Sequence, residues 1–334
     1  MNVLVTGATG FVGSVLVPRL LRRAELRELA VLVPPEETLP AGRFPKSVGV
    51  IRADIRDRAA VAEACRGRSH VIHLAGCISY RRRDRGLLWA VNHVGTVHVV
   101  EGCLSGGVRR LVHVSTVGAV GFHRDGRPAD EDTPFNWPPD FGYMASKRAG
   151  QQAVEEAARR KELPAVILNP ASIMGPGDPN PDTPHNRLYL MACRGALLVS
   201  FSGGLSVVDV RDLAALIERA LDAGRIGEKY LVVGANIEYA EVVRALGRAA
   251  GRRAAAVKIP AAILTAAGAV LEAAADGFGG RPPLTRSYGL LSGWHAYHSN
   301  AKSRKEFGHR YLDFETTVRD GFDFYRRTFF HKRV

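Results

Sequence analysis

Short, continuous runs of apolar residues recur through the first half of the chain, and segments with helical periodicity lie between them. Runs of this length suit strands that are buried on both faces, as in a parallel sheet. Six runs have this character: VLVT (3–6), AVLV (30–33), VGVIRA (48–53), HVIHLA (70–75), RLVHVS (110–115) and AVILNP (165–170). Helices are predicted at 11–23, 58–65, 87–104 and 143–161. Strand and helix in alternation, with right-handed crossovers, predict an α/β fold with a Rossmann-type doubly wound parallel sheet.

The pattern changes after Pro170. The stretch GPGDPNPDTPHN (175–186) contains four prolines and several turn formers, so we expect a long irregular loop of the kind that forms lids or binding segments. A helix at 210–222 and the strand KYLVVG (229–234) then return to the main sheet. We therefore predict a Rossmann domain of residues 1–174, to which 206–235 return, and a smaller, mainly helical substrate-binding lobe of 175–205 and 236–334.

The longest apolar stretch, IPAAILTAAGAVLEAAA (259–275), is rich in alanine and contains Pro260 and Glu272. It is short for a bilayer span, and we interpret it as a packed helix of the C-terminal lobe. The alternative is a face that rests on a membrane to reach a lipid-like substrate, which would be a peripheral membrane contact.

Composition and charge exclude several classes of protein. Hydrophobic residues make up 46% and charged residues 24%, as in an ordinary globular protein. The net charge is +13, but the basic residues are scattered except in YRRRDR (80–85) and YRRTFFHKRV (325–334), so no specific nucleic-acid partner is expected. The four cysteines form no CxxC pair, and no histidine cluster has zinc spacing, so we expect reduced thiols, no metal site and a cytoplasmic protein.

A glycine-rich turn, TGATGFVG, follows the first predicted strand and opens a helix. Gly7, Gly10 and Gly13 would let the backbone turn sharply, approach a pyrophosphate and pack the helix on the sheet. The helix N-terminus would add N–H donors and the positive end of its dipole. A dinucleotide site is therefore predicted, against the alternative of a merely tight turn.

The choice of dinucleotide depends on the end of the second strand, where an acidic residue binds the 2′-hydroxyl of NAD and a basic one the 2′-phosphate of NADP. Here VLVPPEE has uncharged residues at 33–35, and Glu36 and Glu37 follow late. NAD or NADP stays open, with a slight preference for NAD because no arginine stands there. After the third strand, Asp54 and Ile55 could hold the adenine, or Asp54 could simply begin a helix.

The pair in YMASK, Tyr143 and Lys147, lies on one face of a helix because its members are four residues apart. That helix follows the fifth strand, whose end carries VSTVGAVG with Ser115 and Thr116. Hydroxyl, phenol and ammonium could therefore meet at the carboxyl edge of the sheet, where ligands bind in such folds.

With these motifs in order, the chain resembles the extended short-chain dehydrogenase/reductases, also called the NAD-dependent epimerase/dehydratase family. The matching segments are TGATGFVG, Asp54 with Ile55, HLAG (73–76), VNHVGT (91–96), VSTVGAVG, YMASK, NPASIMGPGD (169–178) and VVDVRDLA (207–214). The resemblance implies that Tyr143 is the acid/base and that Lys147 binds the nicotinamide ribose and lowers the tyrosine pKa. Thr116 would replace the commoner serine.

The same resemblance implies a set of cofactor-binding positions. They are Gly7, Thr9, Gly10, Phe11, Val12, Gly13, Asp54, Ile55, Leu74, Ala75, Gly76, Asn92, Lys147, Asn169, Pro170 and Ser172. Of these, Leu74 to Gly76 would act through their backbone, and Asn92 would steady the site from its helix. In many relatives the helices at 87–104 and 143–161 form a dimer interface, so a homodimer is expected.

The residues just before VVDVRDLA (207–214) indicate to which branch of the family the chain is most similar. Nucleotide-sugar enzymes of the family often carry there an arginine that contacts the substrate diphosphate, whereas this chain has Leu205 and Ser206. The sequence is more similar to the dihydroflavonol reductase and 3β-hydroxysteroid dehydrogenase-like branch. This implies NAD(P)-dependent interconversion of a secondary alcohol and a ketone on an apolar, sterol-, flavonol- or prenyl-like molecule. The alternatives are a nucleotide-sugar epimerase or dehydratase with tightly bound NAD, and a non-catalytic nucleotide-binding regulator.

Overall fold

The computed structural model describes residues 1–178, 180, 183–195, 199–253, 257–278 and 280–330. Its strands are β1 (Asn2–Thr6), β2 (Glu28–Val33), β3 (Val48–Arg52), β4 (His70–His73), β5 (Arg110–Val114), β6 (Ala165–Pro170), β7 (Ser172–Met174), β8 (Val199–Phe201), β9 (Gly204–Asp209), β10 (Lys229–Val232), β11 (Ala235–Glu238), β12 (Val257–Ile259) and β13 (His295–Ala296). Its helices are α1 (Phe11–Leu20), α2 (Arg58–Cys65), α3 (Arg85–Trp89), α4 (Gly95–Ser105), α5 (Gly142–Arg159), α6 (Pro184–Cys193), α7 (Val210–Ala220), α8 (Tyr239–Ala249), α9 (Ala261–Phe278), α10 (Arg286–Leu291), α11 (Ala301–Phe307) and α12 (Phe314–Phe330).

Seven parallel strands form the main sheet, in the order β10-β6-β5-β4-β1-β2-β3. Each of the six predicted apolar runs supplies one strand, and the predicted fold class is confirmed. The central strands are almost fully buried because helices cover both faces of the sheet. The chain leaves β1 toward β2 on one side and reaches β4 on the other, so a crevice opens at the carboxyl ends of β1 and β4.

The helix predicted at 87–104 is interrupted. A π-helical turn, Ala90–Val94, separates α3 from α4. Such turns are rare and occur often at functional sites. Asn92 lies in this turn and is buried, so the interruption concerns one of the predicted cofactor-site residues.

The C-terminal part adds helices and two small sheets. One small sheet joins β11, β9 and β13, with β7 paired to β9, and the other joins β8 and β12. Segments 172–174 and 206–209 therefore lie outside the main sheet, whereas β10 joins it beside β6. In α12 Phe322 and Tyr325 are buried, whereas Phe324 is half-buried. Position 179 and positions 181–182 of the predicted loop, and 331–334 of the basic tail, lie outside the described residues.

Helix α9 corrects the interpretation of the apolar stretch 259–275. The helix is present, but only Leu264, Gly268 and Glu272 of it are buried. It packs on α10 through a single stripe at four-residue intervals, and its remaining faces meet solvent. In the part of the chain that the structure describes, it is the one helix long and apolar enough to cross a membrane.

Candidate active site

The glycine-rich turn is shaped by contacts that only glycine permits. Gly7 has a φ of 70°, and a Cβ there would stand 2.6 Å from the Ala75 nitrogen. A Cβ at Gly13 would lie 2.2 Å from the Ala8 oxygen, so the first turn of α1 packs directly on the glycine-rich turn. A Cβ at Gly10, by contrast, would have the Gly7 oxygen as its nearest neighbour, at 3.5 Å. The turn thus leaves room beside the start of α1, as binding of a pyrophosphate requires.

A buried hydrogen-bond chain fixes the strand ends beside this turn. Thr6 Oγ1 accepts from the Ala75 N–H (3.2 Å) and lies 2.7 Å from His73 Nδ1. His73 Nε2 is 3.0 Å from Thr96 Oγ1, which donates to the Asn92 carbonyl. Burial lowers the pKa of His73 to about 3, so the ring is neutral and donates through Nε2 while Nδ1 accepts. Backbone at β1, β4 and the π-turn is therefore held as one unit.

Glu37 lies four residues beyond the end of β2, but its side chain reaches the glycine-rich turn. Thr9 Oγ1 donates to Glu37 Oε2 at 3.1 Å. Arg43 Nη2 donates to the Thr9 carbonyl at 2.9 Å, although no arginine was expected in this region. A carboxylate and a guanidinium therefore flank Thr9 together, and the charge at this end of the site comes from the segment after β2.

Asp54 is not a helix cap. Asp57 begins α2 and accepts from the Ala60 N–H, whereas Asp54 is paired with Arg56, which lowers the pKa of Asp54. The alternative that Asp54 begins a helix is therefore wrong. Ile55 is buried, and its side chain contacts α4, since a Cβ at Gly95 would stand 3.0 Å from it.

The structure brings Thr116, Tyr143 and Lys147 together at the ends of β5 and α5. Thr116 Oγ1 accepts from the Gly118 N–H (3.2 Å), and its side chain lies close enough to Tyr143 to lower the pKa of the phenol. Lys147 Nζ is buried and donates to the Val114 carbonyl at 3.0 Å. Ser115 is buried, and its hydroxyl has no partner among the described residues. Between the two hydroxyls, Thr116 is the one that contacts the phenol.

Burial governs the ionisation of both predicted catalytic groups. It raises the pKa of Tyr143 to about 12, and the neighbouring Thr116 hydroxyl only partly opposes this rise. It also lowers the pKa of Lys147 to about 8. The net shift of the phenol pKa is upward because desolvation outweighs the influence of Thr116, and the lowering of the tyrosine pKa by Lys147 stays a prediction. In this state Tyr143 is a proton donor at neutral pH.

Two buried amides act around the site. Asn92 exchanges hydrogen bonds with the backbone of Cys77, at 2.9 and 3.0 Å, and donates to Ser146 Oγ at 3.0 Å. Its amide is therefore occupied, and it positions the loop after β4. Asn169 donates to the Thr116 carbonyl and to Gln151 Oε1, both at 2.7 Å.

Asn169 Oδ1, in contrast, is buried and has no hydrogen-bond partner among the described residues. An orphaned acceptor next to Thr116, and open space before Gly10, fit a nicotinamide dinucleotide laid across the crevice. Pro170 ends β6 and is buried, whereas Ser172 is exposed in the small sheet.

A row of aromatic side chains, missed by the sequence reasoning, leads away from Tyr143. Tyr80 packs edge-on against Tyr143 (6.1 Å between ring centroids) and against Tyr288 (5.7 Å). Tyr288 in turn meets Phe201 at 6.1 Å. Burial raises the pKa of both Tyr80 and Tyr288, which keeps their phenols neutral. We call these four residues the aromatic row. Their wide separation in the sequence left no local signal to find them.

Fold and site together define the class. A parallel sheet of this order, a glycine-rich turn after β1 and a Tyr-x-x-x-Lys pair after β5 are the features of an extended short-chain dehydrogenase/reductase. Comparison with known proteins then gives the family: residues 3–234 match the model of the NAD dependent epimerase/dehydratase family. The chain belongs to this family, whose members are oxidoreductases, epimerases and dehydratases.

Three similar proteins span most of the chain. Sterol demethylase protein B of Methylococcus capsulatus is 33% identical over 78% of this chain and 78% of its own length. A candidate dihydroflavonol 4-reductase of Synechocystis is 28% identical over 91% of this chain and 88% of its own length. The crystal structure of Thermus thermophilus UDP-glucose 4-epimerase with NAD has a TM-score of 0.77. It is 27% identical in sequence, and the match covers 98% of this chain and 100% of that one. The predicted family, its reductase-like branch and the nicotinamide dinucleotide are thereby confirmed.

Proposed function

We propose that the protein is an NAD-dependent oxidoreductase that interconverts a secondary alcohol and a ketone on an apolar ring-type small molecule. The observation that carries the proposal is the aromatic row, which begins at the phenol of Tyr143 and extends through Tyr80 and Tyr288 to Phe201. Aromatic faces bind apolar ring systems with large contact areas. Names of two relatives, a sterol demethylase protein and a dihydroflavonol reductase, point to substrates of the same kind.

The region that would meet a diphosphate supports the same choice. Leu205 packs in the core of the lobe, and Ser206 is buried with its hydroxyl donating to Asn236 Oδ1 at 2.7 Å. Nearby, Arg211 is neutralised by Asp209 and Asp320, both at 2.7 Å. No free cation of this segment is left to hold the substrate diphosphate of a nucleotide sugar.

Tyr143 and Thr116 would share the proton chemistry. Thr116 Oγ1 would hydrogen-bond the substrate oxygen, and Tyr143 would donate its proton to that oxygen in reduction or accept one in oxidation. When bound, the nicotinamide supplies or accepts the hydride. Lys147, fixed on the Val114 carbonyl, would place a positive charge beside the ribose and the phenol. Residues Tyr143 and Lys147 are held on a single helix, so their spacing does not depend on a loop.

A substrate panel tests the proposal. Purified protein is given sterols, flavonols, prenyl alcohols and nucleotide sugars with NAD or NADP, and the nicotinamide absorbance is followed. We expect turnover of an apolar ring alcohol or ketone that depends on added cofactor. Conversion of a UDP- or dTDP-sugar without added cofactor would contradict the proposal and would favour the epimerase, the function of the solved Thermus relative.

Glu37 provides a prediction on cofactor choice. Because its carboxylate lies at Thr9, it should accept from the 2′-hydroxyl of NAD and repel the 2′-phosphate of NADP, while Arg43 stays available to a phosphate. Glu37→Gln is expected to shift the kcat/KM ratio toward NADP by about tenfold, equivalent to about 1.4 kcal/mol. Initial rates with both cofactors measure the ratio.

The matched control is Glu36→Gln, since Glu36 is the exposed neighbour and has no hydrogen bond to the turn. It removes the same charge one position away. An equal shift in both variants would mean that only the general field matters, and no shift in Glu37→Gln would exclude Glu37 from the cofactor site.

A further inference from the structure

Helix α9 presents an apolar face that nothing in the described protein covers. Ile263 is 60% exposed, Val270 69% and Phe278 94%. Around them lie alanines, and Asp276 is the one charged residue on the exposed side of the helix. At 18 residues the helix is about 27 Å long. A contiguous apolar face of this size marks an interaction surface.

The helix is fixed to the protein and cannot leave to span a bilayer. The buried Glu272 carboxylate accepts from the backbone N–H groups of Arg82 (2.9 Å) and Arg286 (3.3 Å). Gly268 packs against the backbone of Thr285, where a Cβ would stand 2.4 Å from the carbonyl oxygen. Removing the helix would leave a carboxylate and two N–H groups without partners. Its exposed face therefore lies flat on whatever binds it.

Arginines border the end of α9 that carries Phe278. Segments 81–85 and 272–286 contain six arginines against three carboxylates, and a fourth carboxylate, Asp140, pairs with Arg85 and Arg286. Arg81 and Arg83 donate to the Gly280 carbonyl, at 2.9 and 3.0 Å, which holds them beside this end of the helix. Arg82 and Arg281 are exposed, and within the described residues no carboxylate pairs with them. The apolar face is thus bordered by unneutralised positive charge.

The same helix is connected to the predicted catalytic tyrosine. Its Glu272 anchors the first residue of α10, and α10 carries Tyr288. Tyr288 packs on Tyr80, and Tyr80 packs on Tyr143. Two aromatic contacts therefore lie between α10, which α9 supports, and the phenol. Tyr288 thus lies on the helix that packs against the buried stripe of α9.

We propose that the exposed face of α9 binds the surface of an anionic lipid bilayer and that the substrate enters the aromatic row from that bilayer. The apolar side chains would lie among the acyl chains near the interface, while the arginines meet the lipid headgroups. This inference rests on the proposed function in one respect, the substrate, which must be soluble in lipid.

A second copy of the chain fits this face less well. A dimer through α9 would bring together two surfaces of a protein whose net charge is +13, and the two arginine borders would meet where the helices run in the same direction. Like charges so placed repel, whereas an anionic bilayer attracts both. The homodimer expected from α4 and α5 would use another surface, near the exposed Leu87 and Trp89 on α3.

Vesicle sedimentation of the full chain tests the binding. Vesicles of phosphatidylcholine alone are compared with vesicles in which about a third of the lipid is phosphatidylglycerol, since anionic lipid should attract the arginine border. We expect the wild type to bind the anionic vesicles and Val270→Asp with Phe278→Ser to bind them at least tenfold more weakly. Ile226→Asp is the matched control. Ile226 is also exposed, by 46%, but it lies in the loop between α7 and β10 and not on α9.

The result separates this inference from the proposed function. NAD binding and turnover of a short water-soluble alcohol should be unchanged in the double variant, while activity on vesicle-dissolved substrate should fall. Wild-type binding to vesicles without any oxidoreductase activity would overturn the function and keep the docking. Failure to bind either vesicle would overturn the docking, as would a dimer in solution that the double variant dissociates.

Discussion

Tyr143→Phe is expected to lower kcat by about 10²- to 10⁴-fold, the range that a positioned acid or base contributes. The phenyl ring would keep its packing against Tyr80, so the pocket should retain its shape. Only the hydroxyl that contacts Thr116 is lost. The affinity for NAD should therefore stay within about threefold of the wild type, and the effect should fall on kcat rather than on binding. Steady-state rates and NAD titration measure the two quantities.

Tyr230→Phe is the control for this substitution. Tyr230 is also buried, but its hydroxyl donates to Glu306 at 2.6 Å, away from Thr116 and Lys147. The Tyr230→Phe variant should be less stable than the wild type but should keep its activity at temperatures below its melting point. Full activity in Tyr143→Phe would remove the tyrosine from the mechanism, and an equal loss in both variants would indicate a general effect of losing a buried hydroxyl.

Local pattern predicts the parts of this molecule that depend on neighbouring residues in the chain. The strands of the main sheet follow from continuous apolar runs, because buried parallel strands need apolar side chains on both faces. Gly7 and Gly13 follow from backbone contacts at 2.6 and 2.2 Å that exclude a side chain. Tyr143 and Lys147 share a helix face for geometric reasons, so their proximity is also visible in the sequence.

What the sequence does not reveal depends on how distant segments meet. Glu37 returns to Thr9 only because the chain after β2 folds back over the glycine-rich turn. Tyr80 and Tyr288 are separated by more than 200 positions, and no periodicity joins them. Helix α9 is present as predicted but packs through one stripe only, because alanine-rich periodicity does not state which face a neighbour covers. Such contacts belong to tertiary structure, and we propose that their residues give the site its specificity.

Lys147 connects function with a cost in stability. Its ammonium is buried, and a carbonyl oxygen rather than a carboxylate is its hydrogen-bond partner. Burial disfavours the charged form, so the pKa falls from 10.5 to about 8. At pH 7 the group is still charged in the folded protein, which therefore carries a penalty of about 3 kcal/mol relative to a neutral amine.

Lys147→Met is therefore expected to lower activity by about 10²-fold or more and, at pH 7, to raise the free energy of unfolding of the cofactor-free protein by about 1–3 kcal/mol. Methionine keeps much of the volume but loses the hydrogen bond to Val114, which offsets part of the gain. Denaturant unfolding monitored by tryptophan fluorescence measures the difference. An unchanged or lower unfolding free energy would show that the pocket tolerates the charge at no cost.

The pH dependence gives this prediction its sign. Below pH 8 the lysine is protonated in both the folded and the unfolded chain, so the difference between variant and wild type stays constant. Between about pH 8 and 10.5 the unfolded wild type binds a proton that the folded wild type has released, so the wild type gains stability as pH rises. The advantage of Lys147→Met should shrink across that window. Lys46→Met, at an exposed lysine, should show no such change, and a gap that stays constant to pH 10.5 would mean that Lys147 titrates alike in both states.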